Sequence, residues 1–175
     1  MRRNYNARRE NQTVIEIRPI QPDEWLAAKM LIYRVAHVIF SETRPLEEAI
    51  ADFDSRGALK DMDDIQTNYF DNGGVFLVMI EDGEIVGTGA IRFHAPGVCE
   101  LKRVWFLISH HGRGLGYRMI HELLEFAREQ SYKKIILETS PIAQNRAYDL
   151  YKRIGFRDSH IDPNNPEDMF MIMDL

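Results

Sequence analysis

Cysteine is almost missing from this sequence: Cys99 stands alone among 175 residues, so neither an intrachain disulfide framework nor a CxxC zinc pair can form. That suits a reducing, cytoplasmic setting. Positive charge is in deficit as well. The 22 Lys and Arg face 27 Asp and Glu, a formal net charge of −5, which argues against a protein that holds a nucleic-acid backbone. No run approaches the roughly 20 apolar residues of a membrane-spanning helix. The six histidines are scattered, with only His110 and His111 adjacent and no HxxxH pair, so no metal site is expected. Residues 1–12 are polar and Arg-rich and lack the apolar centre of a secretory signal. They read as a mobile arm, with a transit peptide as the compositional alternative. One domain is expected over residues 13–175, because 45% hydrophobic content fills a single core at this length.

What is present is an ordered alternation of elements. "TVIEIRPI" at 13–20 reads as a strand ending at Pro19. Apolar residues at Trp25, Ala28, Leu31, Ile32, Val35 and Val38 then recur at helical spacing behind Asp23 and Glu24. Residues 41–72 carry nine acids against three bases and two weakly helical pieces. Such a stretch is usually a solvated face, and a cation-attracting rim is the other reading. Two apolar runs flank "EDGE", where Asp82-Gly83 signals a two-residue hairpin. "VCELKRVWFLI" reads as a further strand, up to Ile108. Met119, Ile120, Leu123, Leu124 and Ala127 predict an amphipathic helix from Gly116 to about Gln130. A short strand "KKIILETS", a helix "QNRAYDLYKRIG" closed by Gly155 and a last strand "DMFMIMDL" complete the chain. The order β-α-α-β-β-β-α-β-α-β is a mixed α/β (α+β type) arrangement with a central hairpin, not a regular βαβ repeat.

Between the strand and the helix lies "SHHGRGLGYRMI", with glycines at 112, 114 and 116. A glycine-rich link into a helix lets backbone N–H groups approach an anion where the helix dipole adds roughly half a positive charge. A plain tight turn would use glycines too. The P-loop string GxxxxGK followed by Ser or Thr is absent, and GxGxxG fails because Tyr117 and Met119 stand where glycine is needed.

The stretch "HGRGLG", His111 through Gly116, resembles motif A of the GNAT superfamily of acetyl-CoA-dependent N-acetyltransferases. "ELKRVWFLI" before it, and "ILETS" and "AYDLYKRIGF" after it, resemble the neighbouring pieces of that family in the right order over about residues 13–175. Two positions depart from the family pattern: His111 replaces Gln or Arg, and Gln144 stands where Asn usually opens motif B, with Asn145 next to it. The resemblance implies a single GNAT-like domain whose mixed central sheet, flanked by helices, splays between its fourth and fifth strands. It implies acetyl-CoA as co-substrate and no metal. Backbone groups of Val104, Trp105, Phe106 and Ile108 would pair with the pantetheine arm as an added strand does. His111, Gly112, Arg113, Gly114, Leu115 and Gly116 would cradle the pyrophosphate, and Gln144, Asn145 and Tyr148 would complete the cofactor side.

Acetyl transfer to an amine needs a base and an acid, because a primary amine with a pKa of about 10 is protonated near neutrality and the departing thiolate benefits from a proton. The resemblance points to Tyr151 as the acid, with Tyr148 its rival and an ordinary packed aromatic the plain reading. It points to Glu100 as the base, its pKa expected to rise on burial, with Glu138 ranked second and an exposed strand glutamate the plain reading. Cys99 is expected to be a buried small hydrophobe, not a nucleophile. The acceptor is expected to be a small-molecule primary amine. The alternatives are a protein lysine or N-terminus, and a non-catalytic acyl-CoA-binding regulator. Glu47, Glu48, Asp52, Asp54, Asp61, Asp63 and Asp64 are expected at the acceptor mouth, where they would favour a cation. No nucleic acid or membrane partner is expected. Relatives often dimerise, and the apolar "MFMIM" end offers a strand for pairing across chains.

Overall fold

The most apolar run of the chain, Val75–Glu81, becomes strand β2 with every residue buried, as a strand covered on both faces requires. A computed structural model describes residues 14–175. The expected arm over residues 1–12 lies outside them. Val75, Leu77 and Met79 pack toward one core, and Phe76, Val78 and Ile80 toward a second on the opposite face. That alternation follows from the period of two along a strand.

Strand β1 (Ile15–Pro19) pairs with β2, and β2 turns into β3 (Glu84–Ala95) through Asp82 and Gly83. Both turn residues have positive φ, 52° and 83°, the conformation of the type I′ hairpin that Asp-Gly favours. Strand β4 (Val98–Phe106) follows antiparallel to β3. The sheet holds seven strands in the order β1-β2-β3-β4-β5-β7-β6, with β5 at Lys134–Thr139, β6 at Arg157–Ile161 and β7 at Met169–Asp174. Strand β6 was not expected. All five of its residues are exposed, so it has no apolar alternation, and its pairing with β7 alone defines it. Because β7 lies between β5 and β6, both its hydrogen-bonding edges are taken within the chain. The "MFMIM" segment therefore offers no free edge to a second copy.

Helix α1 (Trp25–Ile39) sits on the second core through Ala28, Leu31, Ile32 and Val35. The acidic segment behind it forms α2 (Leu46–Ser55), helical turns and the four-residue α3 (Ile65–Asn68). Met62, Ile65 and Tyr69 are at most 2% exposed and anchor the segment beneath the sheet. Helix α4 (Leu115–Glu129) covers the first core with the predicted Met119, Ile120, Leu123, Leu124 and Ala127, and α5 (Asn145–Ile154) lies beside it. No helix among the described residues is long and apolar enough to cross a membrane.

Two features of β4 place the site. It runs parallel to β5 for three residue pairs only, Val98 with Lys134 through Glu100 with Ile136. Beyond Glu100 the two strands part, and the side of β4 facing β5 loses its partner. The register with β3 also slips between Thr88 and Ala90, where Arg103 takes a left-handed φ of 57°. This bulge increases the local twist and turns the end of β4 away from β5.

Candidate active site

The glycine loop has two different reasons for its glycines. Gly112 and Gly114 sit at φ of 80° and 76° with nothing within 4 Å of a hypothetical Cβ, so the backbone turn itself selects glycine. Gly116 has ordinary dihedrals, but a Cβ there would lie 3.1 Å from the Leu150 side chain. It sets how closely α4 approaches α5. Gly114 is the N-cap of α4 and no side chain caps this end, so the first-turn N–H groups and the positive dipole end are left for an anion.

A cavity of about 1190 Å³ opens in front of this loop, between the end of β4 and α5. Of the expected cofactor residues, Val104, Trp105, Phe106, Ile108, His111, Gly112, Gly114, Leu115, Gly116, Gln144 and Asn145 line it. Ile108 does so from a helical turn, since β4 ends at Phe106. Arg146, Lys152 and Arg153 of α5 add cationic side chains to its wall, and among the described residues Arg146 and Arg153 form no ion pair. A second, narrower cavity of about 460 Å³ lies between β4, the end of β5 and the β6–β7 loop. Both cavities are lined by Val104, Trp105, Ala143, Gln144 and Tyr151.

Tyr151 is 7% exposed, and its ring meets Phe156 edge-on at 5.7 Å. No described side chain or backbone group hydrogen-bonds its hydroxyl, and burial alone pushes its pKa up. The phenol therefore stays protonated, with its O–H free at the junction. Its expected rival is elsewhere. The Tyr148 hydroxyl donates to Asp158 at 2.9 and 3.1 Å on the far side of α5, so Tyr148 is not part of the cavity wall.

Arg113 is likewise not in the wall. Its guanidinium turns back to Glu81 at the end of β2, where His110 Nε2 also bonds the carboxylate at 2.6 Å. Glu81 thus pins both flanks of the glycine loop to the sheet, and the Arg113 hydrogen bond is the largest reason that its pKa is lowered to about 2. Sequence reading missed this residue because it borders the "EDGE" turn. The available signal was phase: Glu81 continues the odd-numbered series Val75, Leu77, Met79 that faces the α4 side. Glu81→Gln keeps the size and removes the charge that holds Arg113 and the His110 ring. It is expected to raise the Kd for acetyl-CoA about tenfold, measured by calorimetry, with the melting temperature nearly unchanged.

Gln144 and Asn145 divide their tasks. Gln144 Oε1 accepts from Ser140 N and Thr139 Oγ1, both at 3.1 Å, and closes the turn from β5 into α5. Asn145 makes no side-chain hydrogen bond among the described residues and faces the wide cavity with its amide free.

The expected base is half-buried and differently tuned. Glu100 lies between Arg92 Nη2 at 2.6 Å and Lys102 Nζ at 3.1 Å. Burial pushes its pKa up, and the two cations outweigh it, leaving the carboxyl below its ordinary value. The expected rise does not occur. Glu138 follows the opposite course: burial first, then the nearby Asp162 and Asp168, push its pKa up.

The acids expected at the acceptor mouth have partners of their own. Asp61 is engaged by Arg103 and Tyr69, Asp54 by Tyr33 and Lys29, and Asp63 by Lys29. Asp52 binds Arg44 and Arg56, and Asp64 caps α3. None of these five groups, nor Glu47 and Glu48, lines the narrow cavity. Its acids are Glu100, Glu138, Glu167 and Asp168.

Comparison with known proteins agrees with this geometry. The profile of the acetyltransferase (GNAT) family matches residues 36–156. The chain is 35% identical over 103 residues to human N-acetyltransferase 8B, covering 55% of this chain and 45% of that protein. It is 34% identical over 107 residues to the uncharacterized N-acetyltransferase YjgM of Escherichia coli K12, covering 58% and 60%. The chain thus spans about half the length of these curated relatives. In fold it is similar to an acetyltransferase of the GNAT family from Staphylococcus aureus Mu50, with a TM-score of 0.78, 20% identity and coverage of 93% and 99%. It is similar too to the PaiA N-acetyltransferase of Thermoplasma acidophilum solved in complex with coenzyme A, with a TM-score of 0.74, 15% identity and coverage of 93% and 99%. A family match across more than half of the chain, on the loop, splay and helix described above, makes this protein a member of the acetyltransferase (GNAT) family.

Proposed function

We propose that this chain transfers the acetyl group of acetyl-CoA to the primary amine of a small molecule. The observation that carries the reading is the meeting of two cavities at Tyr151, one cationic and lined by a glycine loop, the other acidic. The residues present fit coenzyme A. The uncapped α4 end with its left-handed glycines suits a pyrophosphate, Arg146 and Arg153 suit further phosphate, and the unpaired side of β4 suits an amide-bearing arm. When bound, the thioester supplies the activated acetyl group.

The chain's own groups then divide the proton work. Glu138, unpaired with any Lys or Arg among the described residues and raised in pKa, takes the proton from the acceptor ammonium. Tyr151 donates its hydroxyl proton toward the departing sulfur. A backbone N–H between Val104 and Phe106, beyond the bulge, is the donor for the carbonyl charge as it grows. Glu100 binds Arg92 to Lys102 and holds the floor of the acceptor cavity.

This assignment fixes a pH dependence. A base must be ionised, so kcat/KM is present above the pKa of Glu138 and falls as the pH drops through it, at a value above the ordinary 4.5. Glu100, held below 4.5, stays charged throughout that window. Glu138→Gln is expected to lower kcat by about 100-fold and erase the acidic limb of the profile, whereas Glu100→Gln leaves the limb in place. A limb that survives in Glu138→Gln and disappears in Glu100→Gln would reverse the two roles. The parent reading is tested by titrating acetyl-CoA into the protein, with dephospho-CoA and ATP as controls, and by turnover with amines. A Kd in the micromolar range is expected, about −8 kcal/mol. Heat indistinguishable from buffer would remove the acetyl-transfer reading.

A further inference from the structure

The narrow cavity has an unbalanced charge. Its two cations are already matched, Lys102 by Glu100 at 3.1 Å and Arg103 by Asp61. Its other carboxylates, Glu138, Glu167 and Asp168, pair with no Lys or Arg among the described residues. The wide cavity is the reverse, with Arg146 and Arg153 unpaired on its α5 wall. Two adjoining cavities of opposite sign meet at one hydroxyl that no described group hydrogen-bonds, that of Tyr151, a residue 7% exposed. A field of this kind sorts ligands by charge before any specific contact forms.

Glu167 and Asp168 are held in place. Ser140, 4% exposed at the end of β5, donates through Oγ to the Glu167 carbonyl at 3.3 Å. Asp162 N donates to the Asp168 carbonyl at 2.9 Å, which closes the loop on itself. Facing this loop, Phe40 and Trp105 form an edge-on aromatic pair with ring centroids 6.3 Å apart, and both line the cavity. Asp168 accepts from Asn165 Nδ2 at 2.7 Å, and aromatic faces beside carboxylates unmatched by Lys or Arg suit an alkylammonium, which takes cation–π attraction on one side and ion pairing on the other. An acceptor bearing a carboxylate or phosphate would meet repulsion there.

We propose that the acceptor carries a second cationic group besides the amine that receives the acetyl, and that Glu167 and Asp168 hold that group while its methylene chain lies on Phe40 and Trp105. The inference rests on the acetyl-transfer reading for which amine reacts, but the cation site is a matter of binding and is tested by binding. In it, Glu138 acts at the reacting nitrogen, Tyr151 at the departing sulfur, and the β6–β7 loop measures the charge at the far end.

The test is calorimetric titration of the full chain with three probes of matched length: 1,4-diaminobutane, butylamine and 4-aminobutanoate. The diamine is expected to bind about tenfold more tightly than butylamine, and 4-aminobutanoate more weakly than either. In the double substitution Glu167→Gln with Asp168→Asn, the diamine should fall to the level of butylamine while acetyl-CoA binds as before. Raising the salt to about 1 M, where the screening length is about 3 Å, should shrink the same advantage in the unsubstituted protein. Equal binding of diamine and monoamine, absence of binding by both, or an advantage untouched by the substitutions and by salt would each overturn the proposal. Turnover of the three probes with acetyl-CoA is recorded separately. A diamine that binds as expected and is not acetylated would overturn the acetyl-transfer reading and leave the cation site standing.

Discussion

Tyr151→Phe is expected to lower kcat by about 100-fold while the Kd for acetyl-CoA stays within about twofold of the unsubstituted value. The substitution removes one oxygen and retains the ring, so the packing of the ring against Phe156 at 5.7 Å is kept. Nothing in the fold depends on that oxygen, because no described group hydrogen-bonds it. Loss of the hydroxyl should leave the melting temperature nearly unchanged, since it removes no protein hydrogen bond and no packed ring atom. The combination is diagnostic. A packing role predicts unchanged turnover, a cofactor-binding role predicts a raised Kd, and only an acid at the sulfur predicts a fall in kcat alone. Steady-state kinetics, calorimetry and a melting curve on the same preparation separate the three.

The second large effect concerns stability. Arg103 occupies the β4 bulge at a φ of 57°, a conformation that costs a non-glycine residue about 1 kcal/mol or more. Three contacts hold it there, one of them from Arg103 Nη2 to the Ala58 carbonyl at 3.1 Å. Thr88 Oγ1 donates to its carbonyl at 2.6 Å, and its guanidinium reaches Asp61, with Nε at 3.0 Å from Oδ2. Its side chain and that of Asp61 are 15% and 11% exposed. Breaking such a buried pair by removing one partner leaves the other charge uncompensated and costs about 3 kcal/mol or more. Asp61→Asn, which still accepts from Tyr69, is therefore expected to lower the melting temperature by about 10 °C for a domain of this size. Adding Arg103→Gly to it removes both the stranded charge and the strained backbone. The double variant should melt above Asp61→Asn, a non-additivity that independent sites would not show.

A pH signature accompanies it. Burial raises the Asp61 pKa, and the hydrogen bonds and charge of Arg103 outweigh that and leave it below the ordinary 3.8. A depressed folded-state pKa contributes stability above the unfolded value and loses it as the pH falls through the folded one. The unsubstituted protein should therefore lose this component below about pH 4, and Asp61→Asn should lack that loss. A variant that keeps the parent melting temperature would show that the bulge stands without the clamp.

Local signals carried much of the architecture. Asp82-Gly83 specifies its hairpin because the two left-handed dihedrals are affordable only to such residues. The 3.6-residue spacing of Met119 through Ala127 specifies α4 because only a helix gathers those side chains on one face. The glycine loop was legible for the same reason, since it depends on local backbone freedom, whereas Tyr151 was singled out by the resemblance of its helix to motif B of the GNAT family. The sequence by itself therefore determined the mixed sheet and the glycine loop, and its resemblance to the GNAT family implied the splay after β4 and the acid candidate.

Tertiary structure decided every charge. Whether an acid is free or matched depends on partners distant in the chain, and periodicity carries no information about them. Asp61 looked like part of an acidic rim and is held by Arg103, 42 residues away. Glu100 looked like a base made useful by burial, and Arg92 and Lys102 reverse the direction of its shift. Tyr148 and Tyr151 share one helix three residues apart, and only packing sends the first to Asp158 and the second to the junction of the cavities. Glu81, hidden beside a turn, becomes the anchor of the glycine loop because β2 ends where His110 and Arg113 arrive. Local sequence fixes where the backbone goes; electrostatics, which acts through space, is settled only when the strands and loops are brought together.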